Sequence, residues 1–93
     1  MKNNPKEIVP FNEWSRKRIK EGRKFCTSRK RIWNDPRVFR IEKKLWKFIK
    51  KENWREEGAD SPDELQRVVN RIFRREVKDD ESFYVHWGEF KDE

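Results

Sequence analysis

The chain has little of the chemistry that supports a metal centre, a disulfide framework or covalent catalysis. Its 93 residues include one Cys (Cys26), one His (His86) and three Gly. A single cysteine cannot form an internal disulfide, so the composition predicts a reducing, cytoplasmic environment. One Cys and one His cannot supply the four nitrogen and sulfur ligands of a usual zinc site, so we expect no metal. The glycines form neither a P-loop nor a dinucleotide-binding pattern, and no cofactor is predicted.

Long apolar runs are missing as well. No stretch approaches the roughly 18 apolar residues that a membrane-spanning helix needs, so we expect no membrane contact. No apolar run follows the first residues, so no secretory signal is predicted. A length of 93 residues suits one domain. We therefore expect a single domain over residues 1–93, with a flexible segment at 1–7.

Charged and aromatic residues, by contrast, are abundant. Charged residues make up 46% of the chain and hydrophobic residues 32%, a balance that by itself favours disorder. Seven Phe, five Trp and one Tyr oppose that interpretation, because each aromatic side chain can bury about 150–250 Å². We therefore expect a folded domain with a thin, aromatic core. The abundance of Lys, Arg and Glu is also typical of thermophilic proteins.

The charge is unevenly distributed along the chain. Residues 1–55 carry 19 Lys and Arg against 6 Asp and Glu, a net charge of +13, whereas residues 56–93 carry 6 against 12, a net charge of −6. A basic segment of this kind indicates a polyanionic partner. The alternative is that the two halves neutralise each other within the fold.

Local signals predict alternating helices and strands. Asn12 is a good N-cap and Gly22 suits a helix end, which predicts a helix at about 12–21. Ser61-Pro62-Asp63-Glu64 combines a capping box with Pro at the first helical position, and apolar residues then recur at helical spacing. Alternation over 83–87 predicts a strand, with Gly88 marking a bulge. We also expect strands at 8–9, 24–31 and 37–41 and a helix at roughly 47–57, while Leu45 and Trp46 fit either a strand or a helix.

One dense basic cluster follows the first predicted helix. Guanidinium groups suit phosphates, hydroxyl groups add neutral hydrogen bonds, and neighbouring aromatic rings can stack on bases. The cluster is therefore predicted to bind RNA or a nucleotide, and the alternative is a solvated strand end. The predicted nucleic-acid-binding residues are Arg23, Lys24, Ser28, Arg29, Lys30, Arg31 and Trp33.

The other candidates favour structural roles. The basic and aromatic run at 43–51 is interpreted as a helix with a lysine-rich outer face, which leaves a protein-binding adaptor surface at 43–54 as a further hypothesis. His86 is expected to be a structural or surface residue, and Cys26 a small packed residue.

Three ordered segments resemble the ASCH domain family of the PUA-like superfamily. The family pattern G-x-K-x-x-T-x-R is similar to Gly22-Arg23-Lys24-Phe25-Cys26-Thr27-Ser28-Arg29, preceded by Val9-Pro10-Phe11. The family's E-G-F-x-S-x-E-E-L stretch is similar to residues 57–65, although Ala59 stands where an aromatic residue is common. Residues 82–87 are similar to the final strand of these domains.

The resemblance implies a fold and two functions. The fold would be a small β-barrel flanked by two or three helices. The barrel could be truncated, because the span between Arg29 and Glu57 is short for the family. RNA binding in a basic cleft is the first implied function. The alternative is a small amidohydrolase acting on N4-acetylcytidine-like nucleosides, in which Lys24, Thr27 and Glu57 would be catalytic.

Overall fold

Between residues 11 and 90 the chain forms three helices and three strands. A computed structural model describes these residues, so the flexible segment predicted at 1–7 and the strand predicted at 8–9 lie outside the described residues. In chain order the elements are α1 (Glu13–Lys20), β1 (Cys26–Arg29), β2 (Val38–Leu45), α2 (Trp46–Asn53), α3 (Pro62–Phe73) and β3 (Ser82–Gly88). The predicted α+β class and the flanking helices are confirmed.

The strands form one antiparallel sheet in the order β1-β3-β2. Thr27 of β1 lies opposite His86 of β3, and Lys43 of β2 lies opposite Tyr84 of β3. β1 and β2 are therefore the two edges, and within residues 11–90 the sheet is not closed into the barrel that the family resemblance implied. The span from residue 30 to residue 56 supplies only β2 before the chain enters α2, so it contributes no further strand that could bridge the two edges.

Strand lengths differ from the sequence prediction at both edges of the sheet. β1 is shorter than the predicted 24–31, and at its start the backbone amides of Phe25 and Cys26 both donate to the Glu56 carbonyl oxygen, at 2.7 and 3.2 Å. β2 runs beyond the predicted 37–41 and ends at Leu45, where α2 begins directly with Trp46. The ambiguous Leu45-Trp46 pair is thus the boundary between a strand and a helix.

A bulge faces Gly88 instead of lying in its own strand. The pairing of β2 with β3 shifts between Val38 and Arg40, opposite Gly88 and Trp87. A Cβ atom at Gly88 would lie 2.5 Å from the carbonyl oxygen of Arg37 and 2.9 Å from the ring of Phe90. Because the backbone at Arg37 and the ring of Phe90 pass so close, this position requires glycine.

The helix ends follow the predicted capping chemistry. The Asn12 side chain accepts a hydrogen bond from the Ser15 amide at 2.8 Å, and the Ser61 hydroxyl accepts one from the Glu64 amide at 3.0 Å. The Glu64 carboxylate in turn accepts from the Asp60 amide at 2.6 Å. Both caps supply acceptors for amides that the helix itself leaves unpaired. α2 ends at Asn53, earlier than the predicted 57.

The two faces of the sheet are covered differently. We call the face that carries Cys26, Phe83 and Val85 the core face, and these residues are buried beneath α2 and α3. The opposite face, here the second face, carries Thr27 and His86 at one end. A smaller cluster covers that end, and its members are Phe11, Ile19 and Phe90, with Trp33 and Val38 packed against them.

Candidate functional site

The best-organised polar group in the described chain joins Lys24, Ser28 and Glu57. Lys24 Nζ donates to Glu57 Oε1 at 3.0 Å and to the Glu57 carbonyl oxygen at 3.0 Å. Ser28 Oγ donates to Glu57 Oε2 at 2.5 Å. Lys24 and Glu57 are both buried. Each carboxylate oxygen has a donor, which a buried charge needs in order to be tolerated.

The backbone around Glu57 places its carboxylate against β1. The Glu56 carbonyl oxygen accepts the Phe25 and Cys26 amides, so this loop is held to the start of the strand. Gly58 follows with φ +97, a conformation that favours glycine. A Cβ atom at Gly58 would also lie 2.9 Å from Cβ of Arg18. The turn after Glu57 therefore depends on a glycine, and the sequence places one there.

Thr27 lies apart from this group. Successive strand residues project to opposite faces, so Thr27 points to the second face, while Cys26 and Ser28 point to the core face. Its direct partner across the sheet is His86, and both side chains are buried. Of the three residues assigned to hydrolysis by the family resemblance, Lys24 and Glu57 are bonded to each other, and the hydroxyl bonded to Glu57 belongs to Ser28.

A cleft of about 300 Å³ runs along the outer edge of β1. One wall comes from β1 and the residues after it, and it presents Thr27, Ser28, Arg29 and Lys30. The start of α1 adds a polar corner, and α3 forms an apolar wall. The remaining lining residues are Phe11, Asn12, Ser15, Val69, Ile72 and Phe73. Hydroxyl groups and cations thus face hydrocarbon across a space large enough for a small ligand.

Aromatic rings position the two cations of the cleft. The Arg29 guanidinium carbon lies 4.2 Å from the centroid of the Trp33 ring and 5.4 Å from that of Phe11. Lys30 Nζ lies 4.5 Å from the Phe83 ring centroid and donates to the Ser82 carbonyl oxygen at 3.1 Å and to Glu81 Oε1 at 3.2 Å. The cation–π contacts favour one placement for each side chain, and Lys30 also has Glu81 as a counter-ion.

Four of the seven predicted nucleic-acid-binding residues lie outside the lining of this cleft. Arg23 pairs with the Asp60 carboxylate and with Glu21, and the Asp60 hydrogen bond raises the pKa of the arginine. Arg31 is exposed beyond the end of β1. Trp33 is half-buried in the smaller cluster, where its ring holds Arg29. Ser28, Arg29 and Lys30 line the cleft, and Lys24 lies behind Ser28 at Glu57.

His86 and Cys26 are both packed inside the protein. The Trp33 amide donates to His86 Nε2 at 2.8 Å, so the ring proton resides on Nδ1, which donates to the Tyr84 carbonyl oxygen at 2.9 Å. Burial lowers the pKa of His86. Burial likewise raises the pKa of the Cys26 thiol well above its usual range, which disfavours the reactive thiolate.

The sequence interpretation missed the α3 wall and the corner at Ser15. Ile72 and Phe73 continue the apolar stripe of α3, and Phe73 packs against the core cluster, but Ile72 is 51% exposed. The signal was their position, because they close the apolar stripe in the last turn of α3. Nothing in the local sequence distinguished Ser15 from other polar residues of α1.

Two further findings concern partners. Among residues 11–90, no group of three or more His, Cys, Asp and Glu side chains is placed to hold a metal ion. No helix in that same range is both long and apolar enough to cross a bilayer. The cytoplasmic location stays a prediction.

Comparison of the chain with protein-family models, with curated proteins and with solved structures found no match.

Proposed function

We propose that the cleft along β1 binds RNA or a nucleotide-like ligand. The observation that carries the proposal is the pairing of its walls, with Ser28, Arg29 and Lys30 on one side and Ile72 and Phe73 on the other. Phosphate groups suit guanidinium and ammonium donors, while a base suits an apolar or aromatic wall. A nucleotide carries both kinds of group on one molecule.

The charge distribution supports the same kind of ligand. Residues 1–55, which supply the polar wall, have a net charge of +13. Arg29 and Lys30 border the cleft, where Lys30 also pairs with Glu81, whereas Arg23 pairs with Glu21 and Asp60 and does not line the cleft. The ASCH resemblance supports this location too, because its signature residues Lys24, Thr27 and Arg29 lie in β1 or just before it.

The test is RNA affinity measured over a range of salt concentrations. We expect Arg29→Gln combined with Lys30→Gln to weaken binding of a fluorescent RNA oligonucleotide in anisotropy titrations. The log–log salt slope should become shallower by about 0.7 for each phosphate of a single strand that the protein no longer neutralises. Lys47→Gln combined with Lys51→Gln removes the same charge from the exposed surface of α2 and is the matched control.

Two results would overturn the proposal. One is that the wild-type protein shows no RNA affinity at low salt above that of a neutral control protein. The other is that the control variant weakens binding as much as the cleft variant does, because net charge alone would then explain the affinity.

A second candidate function is hydrolysis of an acetylated nucleoside such as N4-acetylcytidine. The observation that favours it is the buried contact of Lys24 with Glu57, the two residues that the resemblance assigns to the reaction, with Ser28 bonded to the same carboxylate. Hydrolysis would break the bond between N4 and the acetyl carbon, with water giving its hydroxyl to the acetate and a proton to the nitrogen. Glu57 could carry that proton.

Chromatography after incubation with N4-acetylcytidine decides this second candidate. We expect the wild-type protein to release cytidine and acetate, and Glu57→Gln to release neither above background. Thr27→Ala and Ser28→Ala then identify which hydroxyl the reaction needs. If the folded wild-type protein releases no cytidine, this function is wrong, and the binding proposal is unaffected.

A further inference from the structure

Tyr84 lies in the central strand on the second face of the sheet, between two basic residues. Its direct partner on β1 is Arg29, and its direct partner on β2 is Lys43. Direct partners across antiparallel strands project to the same side, with Cβ atoms about 4.5–5.5 Å apart. Lys43 Nζ lies 5.8 Å from the centroid of the Tyr84 ring. The Arg29 guanidinium lies over the Trp33 ring, so the charge beside the Tyr84 ring is that of Lys43.

This part of the second face is open. The smaller cluster of Phe11, Trp33 and Phe90 covers the His86 end of the face. On β2 the face is exposed, because Ile41, opposite His86, is 37% exposed and Lys43, opposite Tyr84, is exposed. We call Arg29, Ile41, Lys43 and Tyr84 the Tyr84 platform. The platform is a surface of one ring, one aliphatic side chain and the Lys43 ammonium group, and it is continued by Arg29, whose guanidinium lies over Trp33.

The charge on this face selects the kind of partner. None of the positions of the three described strands that project to the second face is Asp or Glu. The acidic strand residue Glu42 points to the core face, where it accepts from Trp87 Nε1 at 2.9 Å. A polyanion is therefore favoured over a neutral or a basic partner.

The ring of Tyr84 selects single strands among polyanions. A paired base is stacked inside its duplex and offers only its edges, whereas an unpaired base offers a face to an aromatic side chain. Tyr84 stands on the surface of a sheet and presents a ring, with Lys43 beside it for an adjoining phosphate. Stacking of this kind tolerates any base, because every base has a π-face.

We propose that the Tyr84 platform binds single-stranded RNA, with a base stacked on Tyr84 and a phosphate at Lys43. The inference rests on the proposed function, since Arg29 both lines the cleft and stands beside Tyr84. Neighbouring strands lie about 4.8 Å apart, so an RNA strand that leaves the cleft past Arg29 meets Tyr84 next and then Lys43. The cleft and the platform form one continuous binding surface.

The experiment compares variants of the full chain in anisotropy titrations with a fluorescent oligouridine and with a duplex RNA of equal length. We expect Tyr84→Ala to weaken oligouridine binding about 5- to 150-fold, which corresponds to the loss of one base stacked on an aromatic ring. Tyr84→Phe keeps the ring and should bind within about twofold of wild type. Lys43→Gln should make the salt slope shallower by about 0.7, whereas Lys51→Gln on α2 should leave it unchanged.

The outcomes separate this inference from the proposed function. If Tyr84→Ala and Lys43→Gln bind as wild type does while the Arg29 and Lys30 variant is weakened, the platform inference is wrong and the cleft proposal stands. If the duplex binds as tightly as oligouridine, the single-strand assignment is wrong. If wild-type protein binds neither RNA at low salt, both proposals fall. Thermal unfolding shows whether Tyr84→Ala remains folded, and Lys43→Gln decides the matter if it does not.

Discussion

The core face and the second face of the sheet are built from alternate residues of the same three strands, yet their surroundings differ. On the core face, Phe83 and Val85 are almost completely buried beneath α2 and α3. On the second face, burial is complete only at His86, and the Tyr84 end is open. Two exposed strand residues of this face, Ile41 and Lys43, lie on β2, opposite His86 and Tyr84.

This difference separates stability from binding. Buried apolar area provides most of the favourable free energy of folding, so the core face should dominate the stability of a domain with few hydrophobic residues. The cations and the half-buried tyrosine on the second face stay hydrated, so folding costs little free energy of desolvation there. A charge-rich chain can therefore be stably folded on one side of its sheet and keep charged residues in water on the other, where we propose that RNA binds.

The largest expected effect is on the core face. Trp46 is fully buried, packs against Phe83 with ring centroids 5.3 Å apart, and donates its indole N–H to Gln66 at 2.8 Å. We expect Trp46→Ala to lower the free energy of unfolding by about 3–5 kcal/mol, because a large cavity would remain. Urea denaturation followed by circular dichroism measures the change.

Phe39→Ala is the contrasting variant for this prediction. Phe39 is an aromatic residue of β2 with 74% of its surface exposed. Its truncation should change the free energy of unfolding by no more than about 0.5 kcal/mol. If both variants lose the same free energy of unfolding, the prediction that buried aromatic residues provide the stability and exposed ones do not is wrong.

A smaller effect is expected from the polar group on the core face. Glu57→Gln removes the charge that balances Lys24, while its amide oxygen can still accept from Lys24 Nζ and its amide nitrogen can donate to Ser28 Oγ. We expect the free energy of unfolding to fall by about 2–3 kcal/mol, because a buried ammonium group loses its counter-ion. Urea denaturation at neutral pH measures the loss.

The control is an ion pair at the surface. Asp60→Asn removes the charge that faces Arg23, and the Asp60 side chain is 66% exposed. Such pairs contribute about 0–1 kcal/mol, so this variant should be close to wild type. If Glu57→Gln is no more costly than Asp60→Asn, the pair of Lys24 and Glu57 is not the buried, desolvated contact that its geometry indicates.

Elements with local signals could be predicted from the sequence. The start of α3 follows from Ser61 and Glu64, whose capping bonds form within one turn of the chain. The start of α1 follows from Asn12 in the same way. The boundary at Leu45-Trp46 could not be predicted, because both residues are apolar. An apolar pair at these positions fits the end of a strand and the start of a helix equally well.

The candidate site was only partly predictable for a related reason. The sequence identified Ser28, Arg29 and Lys30, because basic and hydroxyl residues cluster visibly there. The face to which each side chain of β1 points depends on the register of β1 with β3, which is far away in the sequence. Arg23 shows the same limit, since its partner Asp60 is 37 residues away and comes close only in the folded chain.

The smallest effect is expected at the closed end of the second face and depends on pH. Burial lowers the folded-state pKa of His86 below about 6.5, the value of an unfolded chain, and nearby Arg29 acts in the same direction. Between those two values the unfolded chain binds more protons than the folded chain. The free energy of unfolding should therefore be highest above pH 6.5 and fall as the pH is lowered toward 5.

His86→Gln tests this pH dependence with little change in hydrogen bonding. The Gln side-chain oxygen can accept the Trp33 amide as His86 Nε2 does, and it does not titrate. We expect urea denaturation between pH 5 and 7 to show a smaller decline for the variant than for wild type. Asp35, Glu64 and Glu81 do not interfere, because their neighbours lower their pKa values and their contribution is lost only in more acidic solution. Equal slopes for the two proteins would mean that His86 is protonated as readily in the folded chain as in the unfolded one, and that the closed end is as open to water as the Tyr84 end.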